Sequence, residues 1–524
     1  MREYLSFLLD RKYLERIPAR SSYDKLKLTD KGGRLLDLLN QLEGEIKAFR
    51  TFQLRSEESD RGGSILGRQS GSPIGPKKAK DWSELRSFLR CGQEYQISLA
   101  VREVYSLQGQ VSSEEAEIDR MLSFAQALSD DCRLAEAHAW KSNHLTRVGM
   151  YQQAILEGQR ALGFASAAND RSKVAGAMLL VGEASAFLGQ KDEPLQYFSE
   201  ALSYYEEVGD RVGLANATRL IAQVHLKHND FSKALHQANR ALSFFGEIGD
   251  RVGASETLRY LGDICCAQGK YLKGLDYYEQ VLKIRRDIGN RSREGGALGD
   301  IGDVYLFLGQ YEKSLDLHRQ ALAIDTQVGY RLGQVWDHHD LGVIQFNLGN
   351  VPQAREELSQ ALRHARDINA PDMIILSNND LSTILRNIGG NENLENALQT
   401  ASEASKIGEE YSLVFGQITG ESNVAMAHRA LGNSREALDH SEKAIKLLEI
   451  SGPTEVNEEE ILFNHYLVLL DHRKLIKANN YLKKAHDKMT SKADRIEDST
   501  IRKTFLTRVA VNRSITSALA GSRT

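Results

Sequence analysis

Residues 249–289 read GDRVGASETLRYLGDICCAQGKYLKGLDYYEQVLKIRRDIG. Two apolar-periodic runs lie here, separated by Gly269. The spacing predicts one helix over roughly Val252–Ala267 and a second over Tyr271–Ile288. Gly249 stands where a helix ends in a left-handed residue, and Asp250, like Asp210 one unit earlier, stands where a side chain caps the next helix. Moving outward, the turn residue recurs at Gly149, Gly189, Asn229, Gly269, Gly309, Gly349 and Gly389, each step being 40 residues. Gly109 precedes the series and Gly432 follows it after 43. Other positions keep the same register. Gly182, Ala222, Gly262, Gly302, Gly342 and Ala425 lie seven residues before a turn. Ala161, Ala201, Ala241, Ala321, Ala361, Ala401 and Ala444 lie twelve after one. Tyr151, Phe231, Tyr271 and Tyr311 lie two after one. Small residues let a second helix approach closely. Ile221, Leu261, Ile301, Leu341 and Leu381 beside them supply an apolar stripe at helical period. Each unit therefore reads as an antiparallel helix pair.

These positions resemble tetratricopeptide repeats, well over roughly residues 130–450 and in weaker form over 92–490. The 40-residue unit exceeds the common 34 of that family, so its helices are extended. The long form with its G-D-R-x-G junction resembles the repeats of polarity and spindle-orientation adaptors, and repeat regions of bacterial and archaeal signalling proteins. The segment Asp498–Ile515 resembles the end of such signalling regions. The resemblance implies an all-α, right-handed superhelix of stacked helix pairs, with first helices lining a concave groove. The expected order is a fragment over 1–54, a linker over 55–81, a degenerate entry repeat over 82–130, the array over 131–450, and a degenerate repeat and cap over 451–524.

Composition agrees. Seven prolines in 524 residues is about 1.3 %, against about 5 % on average, as a mostly helical chain requires. The net charge of −4 denies the whole chain the basic character of a dedicated nucleic-acid binder. No run of 18 apolar residues occurs, and the charged start MREYLSFLLDRKYLERIP does not read as a secretory signal. Cys91, Cys132, Cys265 and Cys266 lack metal-type spacing, and a reducing, cytoplasmic setting is the expectation.

Residues 1–54 leave the repeat. Leu26 and Leu28 alternate with Lys25 and Lys27 as in a half-buried strand. Thr29 or Asp30 then caps a helix with an apolar face of Leu35, Leu36, Leu38, Leu39 and Leu42. A hairpin ending in L-T-x-K-G-R-x-L-L resembles the wing and last helix of winged-helix proteins, notably archaeal regulators. That resemblance implies a recognition helix within Met1–Ile17. The family's first two helices are missing before Met1, so DNA binding is expected to be weak and salt-sensitive. Residues 55–81 are rich in Gly, Ser, Pro and charge, the composition of a tether.

No catalytic constellation emerges. His225 and His228 are three apart on one helix, but two ligands are not a metal site. His338, His339 and Asp340 are consecutive, and consecutive helical residues point apart. Asp263 and Asp303 are paired only by register. Arg171, Arg211, Arg251, Arg291 and Arg331 form a ladder of step 40 whose expected role is local pairing at unit boundaries. The expected function is a non-enzymatic scaffold or adaptor, without cofactor or metal, that binds a protein or peptide in its groove. A regulator coupling a winged-helix element to a sensory array is the second reading. Matching the family's groove positions points to Asn216, Arg219 and Gln223; Glu256, Arg259 and Asp263; Asp303; His339; and Asn379, Thr383 and Arg386. No membrane role is expected.

Overall fold

The computed structural model describes residues 14–17, 25–28, 79–107, 111–451 and 456–522. Contacts divide it into two units, residues 1–104 with 116–130, and residues 105–115 with 131–524. In the first unit, β1 (Leu14–Ile17) and β2 (Lys25–Leu28) pair antiparallel, Leu14 opposite Leu28 and Ile17 opposite Lys25. The strand expected at Leu26 and Leu28 is present, and its partner occupies the end of the segment in which the recognition helix was expected. The helices expected around this hairpin, and residues 55–78 of the expected linker, lie outside the described residues. Residues 79–81 are helical, because the first long helix starts at Ala79.

Every other described element is a helix. They are α1 (Ala79–Leu107), α2 (Val111–Leu128), α3 (Asp131–Arg147), α4 (Tyr151–Ala167), α5 (Arg171–Phe187) and α6 (Asp192–Val208). Next come α7 (Arg211–Lys227), α8 (Phe231–Ile248), α9 (Arg251–Ala267), α10 (Tyr271–Asp287), α11 (Arg291–Phe307) and α12 (Tyr311–Val328). Then follow α13 (Arg331–Asn347), α14 (Val351–Asp367), α15 (Pro371–Ile388), α16 (Asn391–Glu410), α17 (Val414–Leu431) and α18 (Ser434–Ile450). The series closes with α19 (Glu458–Asp471), α20 (Leu475–Asp494), α21 (Ser499–Arg508) and α22 (Ala510–Ser522). It is an all-α solenoid, and among the described residues no strand follows Trp82.

Local chemistry sets the boundaries. Gly249 adopts φ 72° and closes α8. The Asp250 carboxylate accepts from the backbone N–H of Val252 at 2.9 Å and of Gly253 at 3.0 Å, capping α9. Asp210 caps α7 in the same way. Three arginines of the ladder pair not with the adjoining aspartate but with an acid 36 residues later, at the end of the second helix of the same unit: Arg171 with Glu207 at 2.7 Å, Arg211 with Glu247 at 3.5 Å, and Arg251 with Asp287 at 3.0 Å. These pairs are exposed, so solvent and salt screen them and they add little to stability.

Within four of the pairs, a glycine on the first helix receives a large side chain sixteen residues later. A Cβ at Gly182, Gly262, Gly302 or Gly342 would stand 2.5–2.6 Å from Phe198, Tyr278, His318 or Leu358 respectively. Between pairs, Gly213, Gly253 and Gly333 receive Tyr205, Phe245 and Asp325 from the preceding second helix. The apolar stripe is buried throughout: Ile221, Leu261, Ile301, Leu341 and Leu381 are all at most 9 % exposed.

First helices of successive units pack side by side, as α7 does with α9, α13 with α15, and α15 with α17. Second helices pack mainly on the first helices before and after them. The first helices therefore share the inner face of this unit. Its successive turns also touch. Gln152 donates to Ser412 Oγ at 2.9 Å, 260 residues away. Arg508 pairs with Glu312 at 2.9 Å across 196 residues, and Phe505 packs on Phe307 with ring centroids 5.2 Å apart.

Candidate protein-binding face

The groove positions named from sequence fall on α7, α9, α11, α13 and α15. The 40-residue register places each beside its counterpart on the next first helix. Arg219 donates to Tyr260 Oη at 3.2 Å and lies over that ring, its guanidinium carbon 5.5 Å from the centroid. Arg259 stacks on the same ring at 4.8 Å and donates to Asp263 at 3.1 Å. Asp263 also accepts from Tyr278 Oη at 2.6 Å. Glu256 accepts from Arg285 at 3.2 Å and pairs with Arg293. His339 bridges Asp340 at 3.0 Å and Asp380 at 2.9 Å. Asn379 donates to Thr419 Oγ1 at 2.9 Å. Thr383 and Arg386 both donate to Asn423 Oδ1, at 3.3 and 2.9 Å. Asn216, Arg219, Glu256, Arg259, Asp263, Thr383 and Arg386 are partly exposed and Asp303 is exposed. Gln223, His339 and Asn379 are buried and serve the contacts between first helices.

Residues 173–247, 253–327 and 296–367 match the tetratricopeptide repeat model. Residues 173–367 are tetratricopeptide repeats. The solved structures similar to this chain include a Rap protein complexed with competence and sporulation factor. It is 15 % identical, with 67 % of this chain and 99 % of that one covered and a TM-score of 0.44. A signal transduction ATPase with numerous domains and a tetratricopeptide repeat sensor, from Pyrococcus horikoshii, is 17 % identical. There 74 % of this chain and 55 % of that one are covered, with a TM-score of 0.42. Yeast Tom70 is 13 % identical, with 84 % and 97 % covered and a TM-score of 0.35. At these identities and scores the likeness has no bearing on activity. Among curated proteins, none matches this sequence.

The repeat register also gathers acids that the sequence reading did not bring together. Asp303, Asp337 and Asp340 of α11 and α13 surround His318 of α12, Asp300 interacts with Asp303, Arg259 and Asp263, and Asp380 of α15 pairs with His339. Burial pushes the Asp300 carboxyl up to about 7, with Arg259 opposing and Asp263 adding. Burial works against charging His318, but Asp303 and Asp337 outweigh it and hold the imidazole up at about 10. The missed signal was His318 itself. Its register elsewhere carries Phe198, Ala238, Tyr278 and Leu358, so a histidine there departs from a core type. The other histidine pairings are ordinary. His225 lies 3.5 Å from Asp230, His228 faces the Gln190 carbonyl at 3.4 Å, and His338 meets Glu357 at 2.7 Å. Burial pushes the Cys266 thiol up to about 12, far from nucleophilic.

Asp325 yields a pH prediction for the repeats. It is 2 % exposed, sits where Tyr205 and Phe245 sit in earlier units, and its Oδ1 has no hydrogen-bond partner. Burial, and then Asp337, push its carboxyl up from 3.8 to about 8. The folded chain thus keeps a proton that the unfolded chain releases. This contribution to stability is fully present below the unfolded value and is lost as pH rises through about 8. Asp325→Asn should melt close to the parent near about pH 4 and above it near about pH 9. Parallel melting-temperature profiles would refute the assignment.

Proposed function

We propose that the repeat array is a non-enzymatic scaffold in signalling or regulation, holding a peptide or a helix along its first helices. The observation that carries this reading is the continuous line of part-exposed polar side chains from Arg219 to Arg386. Arg219, Glu256, Arg259, Asp263, Thr383 and Arg386 are already held by neighbouring side chains, so little of their side-chain entropy remains to be lost on binding. Charge along the line is divided. Arg219 and Arg259 at one end and Arg386 at the other flank Asp263, Asp303, Asp340 and Asp380. The matching ligand is basic in its middle and acidic towards its ends. Five first helices at about 10 Å spacing span about 40 Å, the reach of about a dozen extended residues.

Photo-crosslinking in the native cell tests this with the full chain. A crosslinking residue at Asn216 or Asp380, on the inner helices, should trap one common protein. The same residue at the exposed outer positions Gln280 or Gln320 should not. With that partner in hand, replacing Arg219 and Arg259 together with Ala should weaken binding by about 1–3 kcal/mol. A melt of the double variant separates lost contacts from a lost fold, because both arginines also touch Tyr260. Equal trapping by inner and outer positions would overturn the proposal.

A further inference from the structure

Resting on the groove reading above, we propose that the inner face over α11 receives one arginine side chain of the bound peptide. The arginine is seated above Gly296 and Gly299, between the indole of Trp336 and the carboxylates of Asp300 and Asp303.

One inner register leaves room for it. Taken every 40 residues from α7 to α15, that register reads Arg219, Arg259, Gly299, His339 and Asn379. Four of these positions reach a neighbour. Arg219 reaches Tyr260, Arg259 reaches Asp263, His339 reaches Asp340 and Asp380, and Asn379 reaches Thr419. Gly299 has no side chain to offer. A Cβ there would find only His318 Cε1 within 4 Å, at 4.0 Å, and one at Gly296, a turn earlier, only Arg285 Nη1, at 3.8 Å. Bare backbone thus stands on α11 where α7 and α9 present arginines.

The groups around this gap lack a cation. Trp336 occupies the register of Gly296 on the next first helix, α13, and is 42 % exposed. Elsewhere the chain covers aromatic faces with its own cations: Arg171 lies over Tyr204 at 5.0 Å, Arg240 over Phe244 at 5.5 Å, and Arg508 over Tyr311 at 5.1 Å. Among the described residues no cation lies over Trp336, although indole is the strongest aromatic partner for one. Asp300 follows Gly299, is partly exposed, and among the described residues has no hydrogen-bond partner. Arg259 attracts it but donates to Asp263 instead. Asp303 meets His318 at Oδ1 and remains 57 % exposed. Burial pushes the Asp300 carboxyl up, and an added guanidinium would favour its ionised form. Arg259 already displays the arrangement, stacked on Tyr260 at 4.8 Å and donating to Asp263 four positions on. Asp303 stands four positions after Gly299, so an arginine brought by the peptide repeats it with Trp336 as the ring. Arginine suits the gap better than lysine, because a planar guanidinium stacks on a ring while its fork of donors engages carboxylates.

The experiment uses the immobilised full chain and two libraries of peptides about a dozen residues long, the reach of the groove. Both are degenerate in all residues but Arg and Lys. One carries a single arginine at its centre and the other citrulline, which keeps the shape without the charge. The parent should retain the arginine library at least about tenfold better. Trp336→Ala changes no charge and alters an exposed side chain, so it should lose most of that preference with an unchanged circular dichroism spectrum. Gly299→Arg fills the gap with the residue found at Arg219 and Arg259. It should melt no lower than the parent, since glycine is the weaker helix former, yet abolish the preference. Equal retention of both libraries by the parent, or an undiminished preference in either variant, would overturn the inference and leave the groove reading standing. Retention of neither library would overturn the groove reading itself, and the inference with it.

Discussion

Gly262→Leu is expected to lower the melting temperature sharply, while Gly176→Ala leaves it unchanged or raises it. A Cβ at Gly262 would lie 2.5 Å from Cε1 of Tyr278, and its second and third nearest atoms belong to the same ring. Tyr278 cannot step aside freely, because its hydroxyl donates to Asp263 at 2.6 Å and its body is buried. Overpacking typically costs about 1–3 kcal/mol. Displacing the phenol from a buried hydrogen bond adds about 1–3 kcal/mol. Gly176 is also inside a helix, but a Cβ there meets nothing within 4 Å. It should gain about 0.8–1.0 kcal/mol from helix propensity alone. The two variants separate packing register from glycine content. Equal melts would show that the small residues at the register of Gly182, Gly262, Gly302 and Gly342 do not set the approach of paired helices.

Phe505→Ala should be as damaging, though it lies nearly 200 residues beyond the surface it packs on. Phe505 is 1 % exposed and belongs to one core with Tyr278, Ile301, Leu308, Phe463 and Met489. Its ring meets Phe307, which in turn meets Tyr271 with centroids 5.2 Å apart. Truncating a buried phenylalanine costs about 3–5 kcal/mol. Arg508 is held close by through Glu312, and Tyr311 Oη donates to its carbonyl at 3.3 Å. The loss of Phe505 should therefore loosen α21 and α22 first. Limited proteolysis should cut within residues 499–522 of the variant before the parent is cut there, and the melt should shift downward. A variant with parental melting and proteolysis would mean that the contact between turns contributes nothing.

The contrast between these two sites shows what the sequence could reveal. Gly262 and its partner are sixteen residues apart and recur every 40, so spacing alone marked the small residue as structural. The same periodicity placed the Asp210 and Asp250 caps, and bounded α9 and α10 within one residue of the expected ends. Phe505 and Phe307 carry no such mark. Their meeting depends on the small rotation added at each junction, accumulated over five units, and no residue encodes that sum. The inner face lies between these cases. Register, together with the resemblance to the repeat family, named candidate residues for it on the first helices. It did not predict that Gln223, His339 and Asn379 are used up by contacts between first helices, because burial there depends on how closely neighbouring units approach. His318 was legible in principle, as a polar residue in a column of apolar ones, but its meaning needed Asp303 and Asp340 from the flanking helices.

Repeat arrays ordinarily tolerate changes in copy number, because each unit contacts only its neighbours. Contacts between turns remove that freedom. Excising α7 and α8 as a clean 40-residue cassette would keep every junction chemically intact, yet it would rotate Ser412 away from Gln152, since the excised unit lies between them. The Arg508–Glu312 and Phe505–Phe307 contacts lie beyond the cut and would survive. The number of units between Gln152 and Ser412 thus acts as a tooth count. Lineages of this chain should vary in the residues of their units far more readily than in how many units separate the touching turns.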